Sequence, residues 1–146
     1  GSAPAALDAV TRYVDRLVTS TVPPETGREL VALVKTAASR SDELMRVTAA
    51  GWITDLLDRI DIGDVREGKP FAKETLGKLV ERGHLTLAGL TARVDGWPAD
   101  NVKVVVDVIA SHDPAGNRSP LLDVLWQADD TGEVRAHIAA LRMKER

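Results

Sequence analysis

Apolar residues along the chain recur mostly three or four positions apart, in runs separated by short polar segments or by prolines and glycines. This spacing places apolar side chains on one face of an α-helix. The segment 103–106, with three consecutive valines, also fits a buried strand, although no second run of this kind offers it a partner. The pattern predicts eight helices, at residues 4–19, 25–38, 42–60, 70–82, 86–94, 98–111, 119–129 and 131–143.

Residues at several predicted helix ends have the conformational preferences that those positions require. Pro70 fits the first position of its helix, and Gly83 fits the position just past the end of the same helix. A hydroxyl side chain can accept a hydrogen bond from a free amide in the first turn of a helix. The predicted N-caps of this kind are Ser41, Thr86, Ser119 and Thr131.

The short connections between successive helices predict that they pair as antiparallel hairpins. A single hairpin cannot bury both of its apolar faces, so neighbouring hairpins must stack. The expected fold is therefore all-α, with about eight helices in four stacked hairpins. Both a short solenoid and an irregular helical bundle fit this description. The predicted hairpins are 4–19 with 25–38, 42–60 with 70–82, 86–94 with 98–111, and 119–129 with 131–143.

A weak internal repeat supports the stacked arrangement. The triplets Asp64-Val65-Arg66, Asn101-Val102-Lys103 and Glu133-Val134-Arg135 each consist of a polar residue, a valine and a base. The last two open predicted helices, and the first lies just before one. The valines are 37 and 32 residues apart, and this spacing suits helical hairpin repeats.

In the last predicted hairpin, a leucine-rich helix at 121–125 leads to Asp130 and then to a helix that opens with Val134-Arg135. This order resembles a HEAT-like repeat, and the resemblance extends over residues 119–143. The third hairpin matches partly, through its own valine and base at 102–103. The second hairpin departs from the pattern because residues 67–70 interrupt the helix that should follow, and the first hairpin lacks the pattern.

The resemblance implies that acidic and basic residues at these turns join neighbouring repeats. In this chain that role falls on Asp130 and Arg135, and on Asp100 and Lys103. The alternative interpretation is that a valine followed by a base merely suits the start of an amphipathic helix.

The composition is that of a soluble globular protein with an aliphatic core. Apolar residues make up 44% of the 146 residues and aromatic residues only 3%. We predict one α-helical domain at 3–146 and interpret Gly1-Ser2 as the scar of an expression tag. The absence of cysteine excludes disulfides and thiolate metal sites. No apolar run approaches the ~18 residues of a membrane-spanning helix.

The charge balance bears on possible partners. The chain has 19 basic and 22 acidic residues, a net charge of −3, whereas nucleic-acid-binding domains usually carry a basic excess or a clustered basic face. Frequent alanine, valine and arginine with few lysines favour a bacterial, cytoplasmic protein.

Residues capable of catalysis or metal binding are scattered. His84, His112 and His137 lie far apart and lack a second ligand at helical spacing. The acids of 58–64 have the wrong spacing for a calcium loop, and those of 129–133 fit a helix start. The sequence therefore predicts no catalytic, cofactor or metal site.

Trp97 is the candidate partner-binding residue, because it lies in a predicted turn between Gly96 and Pro98. An exposed tryptophan there could anchor a partner, or the ring could instead pack on the helix start. Trp52 and Trp126 fall on apolar helix faces and are expected in the core. The predicted function is a non-enzymatic adaptor, scaffold or regulatory domain, part of a larger bacterial protein, that binds another protein or a flanking domain. The alternatives are a HEAT-like nucleic-acid-binding domain and a small-ligand-binding helical bundle.

Overall fold

The computed structural model describes residues 43–65 and 67–144, with side chains from Ala50 onward. These residues form α-helices and two short 3₁₀ turns, with no strand among them, so the all-helical prediction is confirmed for this part. The predicted helices at 4–19 and 25–38 and the predicted N-cap Ser41 lie outside the described residues. The six described helices are α1 (Glu43–Arg59), α2 (Gly68–Glu81), α3 (Leu87–Arg93), α4 (Ala99–His112), α5 (Pro120–Ala128) and α6 (Glu133–Met143).

Two predicted N-caps make the expected hydrogen bonds. The Thr86 hydroxyl accepts from the Gly89 amide at 3.0 Å, and the Ser119 hydroxyl accepts from the Leu121 amide at 3.2 Å. At the other end of α2, Gly83 has φ +78°, a left-handed conformation that glycine adopts without strain. These local signals mark the C-terminal end of α2 and the N-terminal ends of α3 and α5.

Two helix starts differ from the prediction. Helix α2 begins at Gly68, so Pro70 is its third residue rather than its first. Proline is tolerated throughout the first turn because those amides have no intrahelical acceptor. Helix α6 begins at Glu133 after Gly132, so Thr131 lies just outside it, where its hydroxyl accepts from the Glu133 amide at 3.1 Å.

The helices pack as three consecutive pairs around α4. Contacts join α1 to α2, α3 to α4 and α5 to α6, and α4 also packs against α2, α5 and α6. Helix α4 is central, and its segment 104–106, where a strand was the competing prediction, is helical and buried. The interior is mostly aliphatic, and each fully buried leucine or isoleucine contributes about 1.5–3 kcal/mol. The largest fully buried side chains include Ile53, Leu57, Leu76, Leu79, Ile109, Leu122, Leu125 and Ile138.

Charged contacts show that α2, α4 and α6 run in the same direction. Lys69 in the first turn of α2 pairs with Asp100 in the first turn of α4 at 2.9 Å. Two turns after Asp100, the Asp107 carboxylate of α4 lies 2.8 Å from both Lys73 of α2 and His137 of α6. Among the described residues, no helix is both long and apolar enough to cross a lipid bilayer.

Candidate functional site

The three helix pairs meet at two junctions near the connections within the pairs. The first junction lies between α1–α2 and α3–α4, and the second lies between α3–α4 and α5–α6. A separate cleft of about 460 Å³ lies between α1 and α3. Beside the connections, side chains bridge the first junction, whereas the second contains an open cleft. The candidate site is the cleft at the second junction. Contacts at the first junction hold the wall of this cleft that contains Trp97.

Asn101 closes the first junction from the first turn of α4. Its side chain is fully buried, and its amide nitrogen donates to the carbonyls of Leu57 and Ile60, each at 2.7 Å. Its amide oxygen accepts from the Ile62 backbone amide at 2.8 Å. The last carbonyls of a helix have no intrahelical donor, so Asn101 satisfies the end of α1 from the neighbouring helix pair.

A side chain of α1 at the first junction also holds Trp97 in place. Its indole nitrogen donates to the Asp58 carboxylate of α1 at 2.7 Å. Arg93 holds that carboxylate in place with two hydrogen bonds of 2.6 and 3.1 Å, and it also reaches Asp55 at 3.1 Å. Trp97 is half-buried and packs against the core, so the sequence-predicted anchor is a positioned ring rather than a freely exposed one.

The second junction contains a cleft of about 380 Å³, which we call the Trp97 cleft. It lies between the α3–α4 connection and the α5–α6 connection, and Trp97 is part of its wall. This volume is within the range of roughly 300–1,000 Å³ found for ligand pockets. Its aliphatic lining comes from Val94, Val102, Leu125 and Val134, and its acidic lining comes from Asp95, Asp129 and Asp130.

Asp129 organises one wall of the cleft. Its carboxylate accepts from the backbone and hydroxyl of Thr131 at 3.0 and 2.8 Å and from the Arg135 amide at 3.1 Å. Burial raises the pKa of Asp129, but the hydrogen bonds from Thr131, Arg135 and Gly132 outweigh burial and hold that pKa below its usual value. Asp129 is therefore ionised at neutral pH and supports the turn before α6.

The other two carboxylates of the cleft are open to solvent. Asp95 and Asp130 are exposed, and within the described part of the chain neither forms an ion pair or a side-chain hydrogen bond. They come from different helix pairs, Asp95 from the α3–α4 connection and Asp130 from the α5–α6 connection. The cleft thus has negative charge on both sides, and the described residues that line it include no basic one.

The structure brings Asp100 and Lys103 into contact with neighbouring helix pairs. Asp100 reaches Lys69 of α2, and Lys103 lies 3.9 Å from Glu133 of α6. The hydrogen bond from Lys69 is the main reason that the pKa of Asp100 is lowered and that of Lys69 is raised. These contacts connect the first turns of α2, α4 and α6.

Arg135 and Asp130 have different surroundings. The Arg135 guanidinium donates to the Trp126 carbonyl at 3.0 Å, within its own helix pair. Asp130 lies in the exposed connection that borders the cleft. An inter-repeat role for these two residues stays a prediction.

The histidines lie on separate elements. His137 bonds Asp107, His112 lies 3.7 Å from Glu81, and the buried Nε2 of His84 has no hydrogen-bond partner. Among the described residues, no group of three or more histidine, aspartate or glutamate side chains is placed to hold a metal ion.

Sequence reasoning missed the residues that position Trp97. In the sequence, Asn101 stands out only as part of a repeated triplet, Asp58 only as one of the acids of 58–64, and Arg93 not at all. One signal for Asn101 was available, since asparagine is a poor helix former and interrupts the apolar positions of α4. Nothing local in the sequence indicates that Arg93 and Trp97 share one carboxylate 35 and 39 residues earlier.

Comparisons with known proteins add no assignment: no protein-family model, curated protein or solved structure matches this chain.

Proposed function

We propose that this chain is a non-enzymatic protein–protein interaction domain that binds its partner at the Trp97 cleft. In this proposal it is an adaptor or regulatory module of a larger cytoplasmic bacterial protein. The observation that carries the proposal is the cleft itself, which opens at the surface between two helix-pair connections. The partner is another protein or a flanking domain of the same protein.

We further propose that the domain is built from HEAT-like stacked hairpins, eight helices in four pairs. The parallel arrangement of α2, α4 and α6 and the ion pairs that cross between them support this architecture. In such stacks each unit contacts its neighbours, and the surfaces between units are natural binding sites. The Trp97 cleft lies at one such boundary.

The distribution of positive charge does not favour the nucleic-acid alternative. Lys69, Lys73 and Lys103 each lie within 4 Å of a carboxylate. Phosphate binding depends on bases that are available to neutralise the backbone. A lysine that already has a carboxylate partner gives up that contact when it binds a phosphate.

The test is a tagged pull-down from lysate of the source organism at two salt concentrations, with two matched variants. Ala128→Phe places a ring at the cleft, because Ala128 is exposed and lines it. Ala140→Phe adds the same ring at an exposed position of α6 outside the cleft.

We expect the wild type and Ala140→Phe to capture the same stoichiometric partner and Ala128→Phe to capture at least about tenfold less, a loss of about 1.4 kcal/mol in binding. Equal capture by both variants would contradict the proposal. Both variants are checked by thermal unfolding, so that loss of fold is not mistaken for loss of binding.

A further inference from the structure

We infer that the Trp97 cleft receives a basic side chain, arginine or lysine, presented by the partner protein. The inference rests on the proposed function, because it specifies the chemistry of the partner at the same cleft. Three observations support it: the negative charge of the cleft lining, the aliphatic residues in that lining, and the presence of Trp97 in the cleft wall.

Among the described residues that line the cleft, none provides a counterion for Asp95 and Asp130. Asp95 and Asp130 face solvent without an ion pair in the described chain, and the lining contains no lysine, arginine or histidine. The nearby Arg135 keeps its charge, but its Nε donates to the Trp126 carbonyl and it forms no ion pair with Asp95 or Asp130 among the described residues. Unpaired carboxylates on two sides of one cleft attract a cation and repel a phosphate or a carboxylate.

The aliphatic residues that line the cleft favour a cation with an apolar stem. Val102 and Val134 are almost fully buried beneath the cleft, and they offer a surface for methylene groups. Lysine and arginine carry a long aliphatic stem below a charged head, so the stem can lie on the valines while the head reaches the carboxylates. A cation over the face of a tryptophan gains further electrostatic attraction.

The exposed rim favours a side chain of a protein over a free small molecule. A small ligand is usually enclosed over most of its surface, whereas Asp95 and Asp130 are both exposed. A residue on a partner's surface enters the cleft with its side chain while its backbone stays outside.

The experiment is a two-dimensional NMR titration of the full chain with short peptides. The probes are the capped peptide Ala-Ala-Arg-Ala-Ala, the same peptide with citrulline in place of arginine, and free arginine. Citrulline has nearly the same shape as arginine but no charge. The three tryptophans give three indole N–H signals, so Trp52 and Trp126 serve as internal controls for Trp97.

We expect the arginine peptide to shift the Trp97 indole signal and the backbone amides of residues 95–97 and 130–131, and the citrulline peptide to bind at least about tenfold more weakly. Raising the salt concentration should weaken binding of the arginine peptide, because the carboxylates are exposed. The double variant Asp95→Asn/Asp130→Asn should lose most of the response. Asp64→Asn, which removes an exposed carboxylate from the α1–α2 connection, should bind as the wild type does.

Three results would overturn the inference. Equal shifts with the arginine and citrulline peptides would show that charge is not recognised. Free arginine binding as tightly as the peptide would indicate a small-ligand pocket. No shift at Trp97 with any probe would show that the cleft does not take a basic side chain. The pull-down with Ala128→Phe decides separately whether the cleft binds a protein at all, so failure of the inference is distinguishable from failure of the proposed function.

Discussion

The two junctions between helix pairs differ in how the end of the preceding helix is satisfied. At the first junction, Asn101 of the following pair supplies both donors to the carbonyls of Leu57 and Ile60. In the repeated triplets the position equivalent to Asn101 is Glu133, which is exposed and contacts Lys103. No hydrogen bond among the described residues joins α6 to the end of α3.

Beside the connections, the side chain at this position of the triplet therefore distinguishes the two boundaries between helix pairs. Asn101 bonds across the first boundary there, and a separate cleft of about 460 Å³ lies between α1 and α3 elsewhere along the same boundary. Where the equivalent residue is a solvated glutamate, the boundary keeps a cleft of about 380 Å³. Trp97 belongs to both regions, since the first junction holds its indole nitrogen and the residue is part of the wall of the second.

The largest effect is expected from Asn101→Ala, which breaks the first junction. The substitution leaves two carbonyls and one amide buried without partners, at about 1–3 kcal/mol for each unsatisfied group, and we expect a total loss of about 3–4 kcal/mol. Urea unfolding measures it as a lower midpoint. The control Asn117→Ala removes a single, partly buried bond to Leu141 and should cost about 1 kcal/mol. Equal losses in the two variants would contradict the special role of Asn101.

A larger side chain should lower stability more at the first junction than at the second. A Cβ at Gly63 of the α1–α2 connection would overlap the Asp100 carboxylate of α4 across the first junction, so Gly63→Ala should destabilise by about 1–2 kcal/mol through overpacking. Ala128→Leu adds more atoms at the open cleft, yet it should change stability by less than about 0.5 kcal/mol. Thermal unfolding of both variants checks this order, and the reverse order would refute the distinction between closed and open junctions.

A smaller effect is expected from Trp97→Phe. A smaller aromatic ring remains, but the hydrogen bond to Asp58 is lost, so stability should fall by about 1 kcal/mol beyond the effect of the smaller ring. The control is Trp126→Phe, because the Trp126 indole nitrogen has no hydrogen bond among the described residues. An equal loss in the two variants, measured by urea unfolding, would show that the contact between Trp97 and α1 contributes nothing.

The smallest effect concerns acid stability. The hydrogen bond from Lys69 holds the pKa of Asp100 below its usual value of 3.8, so the folded state binds this proton less readily than the unfolded state. The contribution is complete above pH 3.8 and is lost as the pH falls through the lower, folded value. Asp100→Asn should therefore be less stable than the wild type at pH 7, and the difference should shrink toward pH 3. A difference independent of pH, measured by thermal unfolding, would contradict this assignment.

The helices of the described part were predictable because their signals are local. Apolar spacing located α1 to α6, and Thr86, Ser119 and Gly83 marked ends that the structure places as expected. The start of α2 was misplaced by two residues, because the left-handed backbone at Glu67 (φ +58°) has no sequence signal as strong as a proline.

The candidate site was predictable only in part. Trp97 stands out because a tryptophan between glycine and proline is unusual in a turn. The cleft itself depends on how α3–α4 and α5–α6 stack. Contacts between residues more than 30 positions apart, such as that of Asn101 with Leu57, leave no periodic trace in one sequence.

The most direct test of the account is site-specific photocrosslinking in cells of the source organism. A photoreactive phenylalanine analogue replaces Gln127, an exposed residue next to Ala128 at the edge of the cleft, or Ser111, an exposed residue at the opposite end of α4. We expect a discrete crosslinked product with one protein from position 127 and none from position 111. Crosslinks to the same protein from both positions, or from position 111 alone, would contradict the claim that the open junction is the binding site.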